Sequence, residues 1–233
     1  MKPVPGGFAD RAVTLPLSPL PAGEAVSWAA VSFAGEAPFA AFAARLPVAL
    51  QNAVPRRRNE FLAGRYCAVR ALARAGCMDA AWPARRDDGL PAWPAGWLGS
   101  ISHTADGALA AVARCSACTA LGVDVERIMS ANQAEAVRSL VAMPGELERL
   151  TGLTPAQALT LLFSAKEALY KALYPQLRRF VDFSAACVSG WQDHALSLRL
   201  AQHWSLDWPQ GRCLPVAHAF VGPHVHTAVC VPA

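Results

Sequence analysis

The sequence predicts an α+β protein organised as two lobes, residues 1–118 and 119–233, joined near 115–120. Three observations carry this reading. A helical pattern followed by short strands occurs in the first half and again, in the same order, in the second. No internal repeat, low-complexity tract or long linker interrupts it. At 54% hydrophobic and 16% charged residues, 233 residues supply a sizeable core and exclude a disordered or collagen-like chain.

Taken in order, residues 1–25 are rich in Pro and Gly and read as extended, and VSWAAVSF (26–33) reads as a buried strand. After Pro55, RRRNEFLAGRYCAVRALARAG places Phe61, Leu62, Ala68, Val69, Leu72 and Ala73 at helical intervals and ends on Gly76, predicting a helix over 57–75. WPARRDDGLPAWPAG (82–96) is a turn-rich loop. Strands are predicted at 99–103, 108–114 and 119–128, separated by TADG and CSAC turns. Helices follow at 133–142, 146–151 and 155–173, the last with Thr154 as N-cap and Pro155 in its first turn. Strands at 183–190, 195–200, 215–221 and 224–231 close the chain.

Composition removes several function classes. Much of the apolar content is alanine, and no uncharged apolar run reaches the ~20 residues of a membrane span. The N-terminus MKPVPGGFADRAV has prolines, glycines, Asp10 and Arg11 where a signal peptide carries an apolar stretch, so a cytoplasmic protein is expected. Seven scattered cysteines do not form a disulfide framework and read mostly as small buried residues in a reducing compartment.

The charge of +4 is unevenly placed. Residues 1–120 hold 12 basic and 8 acidic groups, whereas 121–233 hold 9 of each. Eight arginines (56, 57, 58, 65, 70, 74, 85 and 86) stand against Glu60 and Asp79 within 56–86. That segment reads either as an anion-binding surface or as a solvated helix face. Lysine is scarce: after Lys2 only Lys166 and Lys171 occur, both in one short segment.

Four motifs stand out. In Gly122-Val123-Asp124-Val125-Glu126, strand alternation sends Asp124 and Glu126 to the same face, roughly 7 Å apart along the strand. Paired carboxylates repel unless a cation lies between them, and a hard ion such as Mg2+ suits them; an amphipathic edge strand with its acids in water fits the same pattern. In Phe163-Ser164-Ala165-Lys166-Glu167-Ala168-Leu169-Tyr170-Lys171, Glu167 and Lys171 lie four apart on one helix face, as a surface ion pair would, beside both internal lysines. Gly99-Ser100-Ile101-Ser102-His103 ends a strand in a polar cluster, but without a nucleophile elbow. Cys115-Ser-Ala-Cys118 lacks a second pair, and His224-Val-His226 with Cys230 alternates as a strand, so neither is read as a metal site.

Taken together and in order, RRNEFLAGR, GSISH, GVDVE and FSAKEALYK resemble the 4′-phosphopantetheinyl transferase superfamily, over about residues 54 to 184. The closer likeness is to the enterobactin synthetase component D type and to the related actinobacterial and other bacterial enzymes that modify polyketide and peptide synthetases. It implies transfer of the phosphopantetheine arm of coenzyme A to a serine of an acyl or peptidyl carrier protein, with release of adenosine 3′,5′-bisphosphate. It also implies a cytoplasmic monomer of two similar α+β lobes, related by a pseudo-twofold, with the cofactor in the cleft between them. Such a protein serves siderophore, polyketide or nonribosomal peptide synthesis, and neither nucleic acid nor membrane is implied.

Residue by residue, the resemblance implies Asp124, Glu126 and Glu167 as ligands of Mg2+, with Mn2+ as a substitute, and Glu167 as base for the carrier serine. Lys171 would hold the α-phosphate with support from Lys166. Arg57, Arg65, Arg85 and His103, with Ser102 beside it, would bind coenzyme A around its 3′-phosphate. On an ideal helix Arg58 rather than Arg57 shares the face of Arg65, so this assignment requires the helix to begin after Arg57. Phe163 stands where many members carry tryptophan. Two other readings compete: a nucleic-acid-binding module using the arginines with Phe61 and Tyr66, and an inactive coenzyme A-binding scaffold.

Overall fold

The computed structural model describes residues 8–11, 23–34, 40–192 and 195–233; most of the extended segment expected over 1–25 lies outside them. The chain is α+β and divides into two compact units, with Cys118 the last residue of the first and Thr119–Ala233 in the second.

The first unit contains strands β1 (Phe8–Arg11) and β2 (Ser27–Phe33), helices α1 (Val48–Gln51) and α2 (Pro55–Arg74), and strands β3 (Trp97–His103) and β4 (Gly107–Arg114). The strands form an antiparallel sheet in the order β1-β2-β4-β3. Helix α2 covers it. Pro55 at the first helical position starts α2 two residues earlier than expected. Its end is a Schellman cap: Gly76 takes φ 76°, Cys77 N–H donates to Leu72 O at 3.0 Å and Gly76 N–H to Ala73 O at 3.1 Å. Leu62, Cys67, Ala71 and Leu72 face the sheet and pack with Ala29, Val31, Ala110 and Val112. Each large apolar side chain so buried contributes about 1.5–3 kcal/mol.

The second unit begins with β5 (Cys118–Arg127), followed by α3 (Ala131–Val141), α4 (Glu146–Arg149) and α5 (Pro155–Leu177). Strands β6 (Ala186–Gln192), β7 (Ala195–Leu200), β8 (Cys213–Val221) and β9 (His224–Pro232) follow. The sheet order is β5-β9-β8-β7-β6. Capping boxes start the two longer helices: Ser130 with Gln133, and Thr154 with Gln157. Helix α5 does not stop at 173 as expected. It continues through Pro175 to Leu177, which packs on the core, and ends where Arg178 adopts φ 54°. Residues 183–185, expected in a strand, form a 3-10 turn capped by Asp182, whose carboxylate accepts from Ser184 N–H at 2.8 Å. The core sets Leu159, Leu162, Leu169 and Leu173 of α5 against Leu196, Leu198, Val225 and Val229. Among the described residues no helix is long and apolar enough to cross a membrane.

Candidate active site

In the first unit, α2 and β3 assemble a cationic cluster. The face of β3 that carries Ile101 also carries His103, and Ile101 meets α2 where Gly64 has no side chain: a Cβ there would lie 2.6 Å from Ile101 Cγ2. This approach brings Arg57 Nη1 to 3.2 Å from His103 Nε2. The helix does not begin after Arg57; it begins at Pro55, and the long arginine side chain spans the angular offset that an ideal helix imposes.

Glu60 lies inside this cluster with its side chain 9% exposed. It accepts from Arg56 Nε at 2.8 Å and from Arg57 Nη1 at 3.4 Å, and His103 Nδ1 is 3.8 Å away. Burial alone would raise its pKa, but the Arg56 and Arg57 hydrogen bonds and the His103 charge outweigh burial and hold it below the ordinary carboxylate value.

Arg65 is 6% exposed, its Nε has no hydrogen-bond partner, and its guanidinium lies over the Phe61 ring at 4.8 Å. Burial, then the charges of Arg85 and Arg57, lower its pKa to about 10. A buried cation among cations is a seat for an anion. Arg85 reaches it from a hairpin closed by Arg86 N–H to Leu90 O and Ala92 N–H to Ala84 O, each 2.9 Å. Ser102, one residue before His103, is buried on the opposite face of the sheet. The arginines are therefore not a uniform solvated stripe: Arg65 points inward, and Arg74 donates to Trp28 O at 2.7 Å.

In the second unit β5 lies against α5 with unusual closeness. A Cβ on Gly122 would come 2.0 Å from Ala168 O and 2.4 Å from Ala172 N, so only glycine permits the contact. Two residues on, Asp124 faces the helix side chains. Ser164 Oγ donates to its Oδ2 at 2.8 Å and Lys171 Nζ to its Oδ1 at 2.6 Å. Thr227 of β9 shares a hydrogen bond with Ser164 Oγ at 2.9 Å and donates to Ser164 O at 2.9 Å. β5 is an edge strand, yet Asp124 does not face water as an acid of an amphipathic edge would: it is 1% exposed, while Glu126 is half-buried.

Glu126 and Glu167 complete the group. Burial, then the charge of Asp124, with Glu167 adding, raise the Glu126 pKa to about 7 against the pull of Lys171. Burial also raises Glu167, opposed by Lys171 and reinforced by Asp124. Three carboxyls thus share more negative charge than one ammonium offsets. Among the described residues no three His, Cys, Asp or Glu side chains enclose a metal by themselves. The donor set nonetheless fits Mg2+, a hard ion that takes carboxylate oxygens and fills the rest of its sphere with water and substrate phosphate.

Lys166 does not join these carboxylates. Its Nζ, on a side chain 3% exposed, donates to Glu146 Oε2 at 2.7 Å and Val141 O at 2.9 Å. Burial lowers its pKa, and Glu146 opposes the shift. Glu146 in turn accepts from Met143 N–H and Val188 N–H, both at 2.7 Å, so the pair ties α5 to α4 and β6. Beside Glu167 a small cavity is lined by Tyr170, Phe180, Val181 and Phe183. Cys115 is exposed and Cys118 buried; His224 and Cys230 are buried on β9.

Sequence reasoning missed Glu60, Glu146, Ser164 and Thr227 as site or bracing groups. Ser164 had a signal: with Glu167 and Lys171 it falls at i, i+3 and i+7 on one face of α5. Glu60 stood three residues after Arg57, on the same face.

Comparison with known families settles the class. The model described as 4′-phosphopantetheinyl transferase N-terminal domain matches residues 46–113, and that of the 4′-phosphopantetheinyl transferase superfamily matches 120–223. The chain belongs to the 4′-phosphopantetheinyl transferase superfamily. It is of the enterobactin synthase component D-like type, and its relatives support an enzyme of that class. Enterobactin synthase component D of Escherichia coli O157:H7 is 39% identical over 167 residues, covering 67% of this chain and 76% of that protein. The 4′-phosphopantetheinyl transferase Svp of Streptomyces mobaraensis is 39% identical over 140 residues, 58% of this chain and 55% of Svp. PptT of Mycobacterium tuberculosis H37Rv is 32% identical over 169 residues, covering 69% and 73%. The two superfamily matches include α2 with β3, and β5 with α5, the elements that carry both charged clusters.

Proposed function

We propose that this protein transfers the 4′-phosphopantetheine moiety of coenzyme A to a serine of an acyl or peptidyl carrier protein and releases adenosine 3′,5′-bisphosphate. The observation that carries the reading is the gathering of Asp124, Glu126 and Glu167 around Lys171, in a chain of this superfamily.

Asp124, Glu126 and Glu167 would hold Mg2+ or Mn2+. When bound, the ion neutralises charge on the diphosphate. Lys171, with its side chain 28% exposed, would hold the α-phosphate beside its contact to Asp124. The carrier serine Oγ attacks the β-phosphorus, the bond from that phosphorus to the oxygen bridging to the α-phosphate breaks, and the serine proton passes to Glu167. Positioning and electrostatics do most of the work, and no covalent protein intermediate forms.

Arg57, Arg65, Arg85 and His103 would bind the 3′-phosphate, which would give the buried Arg65 Nε an acceptor. Residues 1–118 thus recognise the nucleotide end and 119–233 carry the chemistry. The likeness to enterobactin synthase component D favours carriers of enterobactin-type synthesis as substrates.

The test is direct. Purified protein, an apo carrier protein, coenzyme A and Mg2+ are incubated, and the carrier mass is read for the phosphopantetheine adduct. An adduct dependent on Mg2+ is expected; none with any of several peptidyl and acyl carriers would sink the proposal.

A further inference from the structure

The cationic cluster of the first unit contains a carboxylate where an anion is to bind, and the hydrogen bonds around it assign that carboxylate a task. Arg57 Nη1 and His103 Nε2 are 3.2 Å apart. A guanidinium can only donate, so Nε2 is the acceptor, and the proton of the neutral ring sits on Nδ1. That nitrogen faces Glu60 Oε2 at 3.8 Å. Charged groups of α2 stand beside the ring: Arg57 and Glu60, with Arg56 on the second oxygen of Glu60 at 2.8 Å. Arg57 in turn shares with Arg85 the positive field around Arg65.

A phosphate monoester carries close to two negative charges near neutral pH and offers only acceptors. An arriving ester competes for the Arg57 N–H that His103 now accepts. Once released, Nε2 serves the ester only if it gains a proton and becomes a donor. A carboxylate facing the other ring nitrogen stabilises that imidazolium.

We propose that Glu60 is a positioning residue for phosphate-ester recognition: it holds Arg57 and His103 in place, and it allows His103 Nε2 to take a proton from solvent as the ester binds. The inference rests on the reading of this cluster as the 3′-phosphate site. Without Glu60, His103 stays neutral and the ester loses one charge-assisted donor.

Calorimetric titration of the full chain with coenzyme A and with dephospho-coenzyme A, in two buffers of different ionisation enthalpy near neutral pH, tests it. For the wild-type protein, proton uptake is expected with coenzyme A and not with dephospho-coenzyme A. In Glu60→Gln the uptake should vanish and the preference for coenzyme A should fall roughly tenfold, the loss of one charge-assisted hydrogen bond. Affinity for dephospho-coenzyme A should stay the same, a pattern that a merely structural role would not produce. If Glu60→Gln does not fold, His103→Gln gives the same test, since uptake should again vanish. Undiminished uptake in either variant overturns the proposal. Equal wild-type affinity for both nucleotides would instead overturn the assignment of the 3′-phosphate site.

Discussion

Lys171 Nζ sits 2.6 Å from Asp124 Oδ1 while Ser164 holds the other carboxylate oxygen, so one aspartate is both the most buried acid of its cluster and the anchor of its only lysine. Because Asp124 is buried, Asp124→Ala should cost stability as well as activity. Adduct formation should fall by about 100-fold or more, and unfolding free energy by roughly 3 kcal/mol, because Ser164 and Lys171 lose their acceptor. Urea melts beside the carrier-mass assay separate the two effects; near-normal transfer would remove Asp124 from the site.

Arg65 invites a less usual outcome. Replacing a buried guanidinium whose Nε has no hydrogen-bond partner by an apolar side chain of similar length removes a desolvation cost. Arg65→Met should therefore melt at or above the wild-type temperature while its apparent KM for coenzyme A rises about tenfold. The KM for dephospho-coenzyme A should change little. Equal losses with both nucleotides would place Arg65 elsewhere.

The Lys166 and Glu146 pair should behave as a buried brace. Lys166→Met leaves Glu146 charged, buried and held only by two backbone N–H groups, at a cost of about 3–5 kcal/mol. A double-mutant cycle with Glu146→Gln should give a coupling of about 3 kcal/mol, where a solvated pair would give under about 1 kcal/mol.

Glu60 gives a pH dependence with a definite sign. Its folded pKa is depressed from the ordinary value near 4.5, so it contributes stability above that pH and loses it as pH falls through the folded value. Urea midpoints measured from neutral to acid pH should converge for wild type and Glu60→Gln at the acid end. Parallel curves would count against the Arg56, Arg57 and His103 contacts.

Two glycines allow a graded comparison. The Cβ of Gly64→Ala meets the methyl end of Ile101, which can shift, whereas that of Gly122→Ala meets backbone of Ala168 and Ala172. Thermal melting should show Gly64→Ala costing about 1 kcal/mol and Gly122→Ala at least about 3 kcal/mol. Reversal of that order would contradict the packing of β5 on α5.

The elements themselves were readable because periodicity, caps and turn residues agree: Thr154 with Pro155, and Gly76 after the α2 stripe, fixed helix ends from local rules. Pro175 misled, since tertiary packing of Leu177 sustains a helix that proline usually ends. At the site, residue types and spacing pointed to Asp124, Glu126, Glu167 and Lys171. They could not separate the roles of Lys166 and Lys171, five apart on one helix: they face opposite ways, and only the fold places Glu146 beneath the first. Glu60 was hidden for a related reason, since its meaning comes from a strand 43 residues away that brings His103 across.

The contact of Gly122 with Ala168 and Ala172 also bears on any attempt to recast this protein in the laboratory. Because main chain meets main chain there, the closeness of β5 to α5, and with it the seat of Asp124, is an inheritance of the backbone and not of any side chain that drift could adjust. A mutational library aimed at new carrier proteins or new acyl-coenzyme A donors should leave those three codons fixed, and spread its diversity over the exposed positions where a misplaced methyl costs nothing.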